Sequence, residues 1–380
     1  MRVSRSFAMS LVLLAFLHFY IGARLLPDLA LGSVGWTIGV ALLVASCLLM
    51  PLGMMGRSIE RQPLADRLTW AGMLTMGTFS SFFVLTFLRD IVLGIVSFAS
   101  PARFGSIAHG SSLTVVVLAT VITLIGLLNA RRRARVVDVA IPIRNLPAAL
   151  DGFSIVQISD VHVGPTIKRG YVNAIVNAAN DLKADVIAIT GDLVDGSVPE
   201  LAGDVQPLSQ LTARQGVYFV TGNHEYYSGE AAWSQELRRL GLKVLKNEHV
   251  VLEHRDQKLV LAGVTDYSAH QFNPQQRSDP QAALRGAPQN AAVKILLAHQ
   301  PRSAAAAASA GFDVQLSGHT HGGQFWPWNL FVPLQQPFTA GLHRLNQLWI
   351  YVSRGTGYWG PPKRFGAPSE ITRIRLVPQT

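Results

Sequence analysis

Hydrophobic and polar positions divide this chain in two. Up to about residue 130 the apolar residues form long runs; beyond it they form short runs separated by glycine and charged residues. The long runs cover residues 7–26, 34–55, 68–88 and 111–128. Each is close to the ~20 residues a helix needs to cross ~30 Å of hydrocarbon, so the pattern predicts a bundle of about four transmembrane helices. A further apolar piece, residues 91–100, follows Arg89-Asp90. It is too short to cross, and we expect it to lie at the interface or to re-enter. The first run is read as a retained span rather than a cleaved signal, because it is long and no small-x-small site follows it.

From Val136 the period changes. SIVQIS at 154–159 and DVIAIT at 185–190 read as buried strands. Between them, Val172, Ile175, Val176, Ala179 and Leu182 recur at helical spacing, which makes a βαβ unit and a sheet that begins parallel. Further strands are predicted at 217–221, 259–264, 293–298, 314–317, 349–353 and 371–376, and helices at 231–240 and 302–310. So many strands suit two sheets with helices outside them. The pattern thus divides the chain into a transmembrane domain, 1–135, and an α/β domain, 136–380.

Composition supports the membrane part. Only 15% of residues are charged against 49% hydrophobic, whereas soluble chains carry about 25% charged residues. The net charge of +10 is uneven: residues 1–135 hold 12 Lys/Arg against 4 Asp/Glu, and the remainder 21 against 19. The basic excess therefore flanks the apolar runs, and no nucleic acid polymer is expected as a partner. With four spans, Arg2, Arg5, Arg57, Arg61, Arg67 and Arg131, Arg132, Arg133 and Arg135 share one side, and Arg24, Arg89 and Arg103 the other. The positive-inside rule puts the first group, and everything after Arg135, in the cytoplasm at the inner (plasma) membrane. The single cysteine, Cys47, excludes an intrachain disulfide and a cysteine-based zinc site.

The candidate chemistry gathers where strands end. Asp160-Val161-His162 follows the first strand, Gly191-Asp192-Leu193-Val194-Asp195 the second, and Gly222-Asn223-His224-Glu225 the third. His299 follows a fourth, and Gly318-His319-Thr320-His321-Gly322-Gly323 a fifth. Carboxyl ends of parallel strands face a ligand crevice, so five strands aim oxygen and nitrogen donors at one place. Each piece alone has an ordinary explanation as a turn, a helix cap or a core histidine; jointly and in this order they do not. Asp, Asn and His donors suit two divalent ions of the Mn, Fe, Zn or Co class, with Asp192 the natural bridge. Two ions carry +4; Asp160, Asp192 and a bridging hydroxide leave about +1, which attracts a phosphate anion.

This ordered set resembles the calcineurin-like metallophosphoesterase superfamily over residues 153–377. It looks closest to a bacterial membrane-associated branch, through the extended motif at 318–324, Tyr351-Val352-Ser353-Arg354-Gly355 and Ser369-Glu370-Ile371-Thr372. The resemblance implies a four-layer αββα sandwich. It implies one metal on Asp160, His162, Asp192 and His321, and a second on Asp192, Asn223, His299 and His319. It also implies that His224 stabilises phosphoryl oxygens and protonates the leaving group, oriented by Asp195. One departure is informative: Ser/Thr phosphatases of the superfamily place an arginine after the second Asp to grip phosphate, and here Gly196 stands there. Arg354 or Lys168 are the candidates to replace it.

The resulting expectation is a membrane-anchored two-metal hydrolase of phosphodiester or pyrophosphate bonds, with the bilayer and a phosphoester substrate as partners and no obligate protein partner. A lipid-linked substrate, such as a nucleotide-sugar lipid or a phospholipid, is one option. Soluble nucleotides, or a non-catalytic sensor or scaffold role, are the alternatives. His249, His254, His270 and His343 read as surface or structural. His18, near Tyr20 and Arg24, reads as an interfacial anchor, and His109 belongs to the membrane part. Phe325, Trp326, Trp328 and Phe331, with Trp349, Tyr358 and Trp359 later, read either as core or as an apolar lip beside the metals.

Overall fold

A computed structural model of the chain describes residues 5–56, 59 and 61–379. Arg2 and Arg57, which enter the charge argument, lie outside the described residues. The chain forms two compact units: one runs to Leu128 and includes Gly360–Lys363, and the other comprises Asn129–Trp359 and Arg364–Thr380.

The first unit is built on α1 (Arg5–Leu25), α2 (Gly32–Met54), α3 (Leu64–Ala99) and α4 (Phe104–Arg131). All four are long and apolar enough to cross a membrane. Only 11–28% of each apolar window is buried, and side chains such as Met9, Val12 and Phe19 are exposed. In water that exposure would be costly; against lipid tails it is not. α2 and α3 meet at Gly53 and Gly72, where a methyl group on Gly53 would stand 2.6 Å from the Gly72 Cα. Small residues at the crossing let the two backbones touch.

Two expectations change here. Residues 91–99 are not a separate piece: α3 continues through Arg89-Asp90 to Ala99, 36 residues or about 54 Å. The break is absent because the buried Arg89 guanidinium is fully engaged. It donates to Arg24 O (2.8 Å), Ala108 O (2.9 Å) and Ser111 Oγ (3.0 Å), and it pairs with Asp28. His18 is not an interfacial anchor. It is buried, its ring stacks on Phe79 at 4.4 Å, and Nε2 meets Ser46 Oγ at 2.9 Å. It therefore ties α1 to α2 and α3.

The second unit contains β1 (Arg135–Ile143), β2 (Ser154–Ile158), β3 (Val186–Thr190), β4 (Val217–Val220), β5 (Lys243–Val244), β6 (Glu248–His254), β7 (Gln257–Gly263), β8 (Val293–Leu297), β9 (Val314–Ser317), β10 (Gly341–Leu345), β11 (Leu348–Val352) and β12 (Glu370–Pro378). They form two six-stranded sheets, ordered β1-β12-β2-β3-β4-β5 and β10-β11-β9-β8-β7-β6. The runs β2-β3-β4 and β7-β8-β9 are parallel. The sheets face one another across Ile155, Val186, Ala188, Leu261, Ile295 and Leu316. The helices Arg169–Asp181 and Glu230–Arg239 cover the first sheet's outer face through Val172, Ile175, Trp233 and Leu237. Ala304–Ala310 covers the second. This is the four-layer αββα sandwich. Strands inside parallel runs are buried on both faces and so read as continuous apolar segments. β1, β6 and β10 escaped the sequence reading because they are edges, exposed on one side and carrying polar residues.

Candidate metal centre

The carboxyl ends of β2, β3, β4, β8 and β9 open into five short loops, and these carry every candidate residue. The loops are tightly bent. Asp160, His162, Asp192, His319 and His321 all have φ between +51° and +72°, a region that non-glycine residues adopt at a cost of about 1–2 kcal/mol each. Strain of this kind persists where the surroundings over-determine it, typically at a functional site. The glycines beside the candidate ligands are required by space: a methyl group on Gly222 would lie 2.2 Å from Asp192 Oδ1, and one on Gly318 2.1 Å from Asp160 Oδ2.

The donors converge in two groups, and a third, His162, Asp192 and His224, overlaps them. Asp160, His162 and His321 form one, with His162 Nε2 3.0 Å from His321 Nε2 and His321 Nε2 3.6 Å from Asp160 Oδ1. Asp192, His299 and His319 form the other: His299 Nε2 lies 3.1 Å from both Asp192 Oδ2 and His319 Nδ1. Asp192 Oδ2 also stands 3.8 Å from His162 Nε2, so this carboxylate faces both groups. Asn223 opens the helix Asn223–Ser228, and the next main-chain N–H donates to Asp192 Oδ1 at 2.9 Å. Second partners fix the rings: His299 Nδ1 meets Thr190 O at 2.7 Å, and His162 Nδ1 meets Asp195 Oδ1 at 3.2 Å. Holding the far ring nitrogen is how proteins aim a metal-ligating histidine.

These residues fit divalent cations on three counts. Asp160 Oδ2 and Asn223 Oδ1 are buried without a hydrogen-bond partner, which is costly unless something else accepts their lone pairs. Burial, aided by the charge of Asp192, pushes Asp160 up, while Asp192 is held well below the carboxylate range because His299 and His224 outweigh its burial. Burial and neighbouring cationic rings take His319 down to about 3 and His321 well below its ordinary value. Both are thus neutral, the form that binds metal.

His224 stands beside both groups. Its Nδ1 meets Asp195 Oδ1 at 2.5 Å, and its Nε2 lies 4.0 Å from Asp192 Oδ2. Burial lowers its pKa, but the Asp192 and Asp195 carboxylates outweigh that and hold it up at about 9. Its ring abuts Tyr227 at 5.2 Å and Trp359 at 5.7 Å.

Of the two candidates to replace the missing arginine, Arg354 pairs with Glu370 at 3.0 Å and Lys168 with Asp204 at 3.7 Å. His249, His254, His270 and His343 make local contacts away from the site, such as His249 with Ala283 O. Three residues escaped the sequence reading. The buried Glu225 carboxylate accepts the N–H groups of Asp192 (3.0 Å), Leu193 (2.8 Å) and Gly222 (2.6 Å), locking two ligand loops together. Buried Arg364 donates to His321 O (3.0 Å) and Arg354 O (2.7 Å) and faces His321 Nδ1 at 3.1 Å. Asp266, at the end of β7, takes both oxygens to Gln300 Nε2 at 3.1 Å, next to His299. Glu225 had a signal, its place in the Asn-His-Glu triplet; Arg364, in a Gly/Pro-rich stretch, had none.

Residues 153–323 match the calcineurin-like phosphoesterase family. The chain is 36% identical over 323 residues to the transmembrane protein with metallophosphoesterase domain of Danio rerio, covering 81% of this chain and 74% of that one. It is 41% identical over 272 residues to the Bos taurus protein of the same name, covering 69% and 61%, and 39% identical over 246 residues to a metallophosphoesterase of Helicobacter pylori, covering 62% and 64%. It thus spans under two thirds of the last two. A two-sheet sandwich, clustered Asp and His donors, four apolar helices and these likenesses lead to one statement: the chain belongs to the calcineurin-like metallophosphoesterases and is a membrane protein.

Proposed function

We propose that this protein hydrolyses a phosphodiester or pyrophosphate bond with two divalent cations of the Mn, Fe, Zn or Co class. Asp160, His162, Asp192 and His321 hold one, and Asp192, Asn223, His299 and His319 the other. The observation that carries the reading is the pairing of His162 with His321 and of His299 with His319 at 3.0–3.1 Å around a shared Asp192. Such a pair of cations, when bound, supplies Lewis acidity and water acidified toward neutrality. The chain's own residues do the rest. Asp195 accepts the Nδ1 proton of His224, which fixes the ring and leaves Nε2 toward the crevice. The Asp195 carboxylate favours the protonated ring, so Nε2–H can bind a phosphoryl oxygen and then pass its proton to the departing oxygen.

Our reading retains a membrane part over 1–135 and a catalytic part over 136–380, with the catalytic part in the cytoplasm at the inner membrane, as the Lys/Arg bias favours. A membrane-derived substrate, such as a nucleotide-sugar lipid or phospholipid, follows from the spans: a tether raises local concentration only at the bilayer. Full-length protein in detergent with Mn or Zn should release nitrophenol from bis-p-nitrophenyl phosphate, and a chelator should stop it. His224→Ala should keep both metals and lose ~100-fold or more in turnover; loss of metal in that variant would show its role to be misassigned.

A further inference from the structure

Directly after the metal motif the chain runs through residues 325–336 without one charged side chain. Within it, Trp326, Trp328, Leu330, Phe331 and Leu334 are 40%, 41%, 63%, 52% and 80% exposed. Five large apolar groups are exposed within nine residues, with the Trp328 and Phe331 rings 5.8 Å apart, and such a concentration marks an interaction site. The segment is rigidly placed. Phe325 is buried, Trp326 N donates to Phe365 O at 2.9 Å, and a methyl group on Gly323 would lie 2.2 Å from the Asn329 Cα. Gly323 is two residues from His321, so the apolar surface is seated on a ligand loop. At its edge the exposed Arg302 donates to Gln335 O at 2.6 Å, three residues beyond His299.

We infer that this segment is a bilayer-contact surface, which inserts at headgroup depth and brings the metal centre to phosphoesters in the membrane. The occupant follows from four observations. The same chain carries four membrane-crossing helices, so a bilayer is always within reach. Tryptophan favours the interface over both water and hydrocarbon. The backbone is irregular, two short 3₁₀ turns at Trp328–Leu330 and Val332–Leu334, and lipid-exposed irregular backbone is found in the headgroup layer rather than in the hydrocarbon core. Arg302 supplies the cation that an anionic headgroup attracts. Of the aromatic set, Trp326, Trp328 and Phe331 belong to this surface and Trp359 is exposed beside His224, whereas Tyr358 is buried and Trp349 half-buried in the core. This inference rests on the membrane-derived substrate proposed above, and its test separates the two.

A nitroxide is placed by Leu334→Cys in full-length Cys47→Ala protein, reconstituted in phosphatidylcholine vesicles containing phosphatidylglycerol. Leu334 is highly exposed, so the label leaves the core intact. The control site is Glu253→Cys, exposed on β6. Relative collision rates with oxygen and with a neutral nickel chelate should favour oxygen several-fold at position 334 over position 253. Equal ratios, or a label shielded from both reagents by protein, would overturn the inference. In parallel, Leu330→Ser/Leu334→Ser should lower the ratio of turnover on a vesicle-borne pyrophosphate lipid to turnover on bis-p-nitrophenyl phosphate by about tenfold; an unchanged ratio counts against the surface. An immersed label with no lipid hydrolysis would leave the surface standing and remove the lipid substrate.

Discussion

Asp195→Asn tests the catalytic reading most directly. One oxygen of this carboxylate meets the Nδ1 atoms of both His224 (2.5 Å) and His162 (3.2 Å). Asparagine keeps the shape and one acceptor but loses the charge. A hydrogen bond to a charged group is worth about 1.5–3 kcal/mol against roughly 0.5–1.5 for a neutral one. The difference, of order 1–2 kcal/mol, predicts a fall in kcat of about 5- to 30-fold and an acidward move of the His224 pKa by roughly one unit. Its pKa is held up at about 9, above the ordinary 6.5. Without cations the protonated form is therefore fully favoured below 6.5 and lost as pH rises through about 9, and cations on Asp192 bring that loss to lower pH. The wild-type rate should fall along that alkaline limb, and the variant's limb should begin at lower pH. Cations on Asp192 remove much of that residue's contribution, which leaves Asp195 as the main support. The assay is a pH–rate profile from 5 to 10 on bis-p-nitrophenyl phosphate, with metal content measured on the same samples. A reduced rate with an unmoved alkaline limb, or a loss explained by missing metal, would refute the reasoning.

Two further outcomes follow from the same geometry. Gly318→Ala drives a methyl group into Asp160 Oδ2 and Ser159 Oγ; overpacking of this kind costs about 1–3 kcal/mol, and a lower Tm with weaker metal binding is expected, whereas wild-type titration and melting curves would contradict it. Stripping the metals should leave Asp160 Oδ2 and Asn223 Oδ1 buried without a partner; saturation at 1,000-fold over Kd contributes about 4 kcal/mol, so a chelator should lower the Tm of the catalytic unit by roughly 8–16 °C, and an unchanged Tm would argue against a structural contribution from the cations.

The sequence by itself determined the long apolar helices, the buried strands and the loops that carry the candidate ligands. Those features are local. A span is a count of apolar residues, a two-face-buried strand is an uninterrupted apolar run, and a ligand is a polar residue next to glycine where such a run stops. What the tertiary structure decided is set by groups far apart in the chain. α3 runs past Arg89 because Arg24 O and Ala108 O lie beside that guanidinium, and His18 is a helix tie because Ser46 and Phe79 pack against it. Glu225 and Arg364 matter because backbone groups from other loops point at them. Periodicity reports which face of an element is dry; only the packed chain reports which polar atoms are left to satisfy one another there.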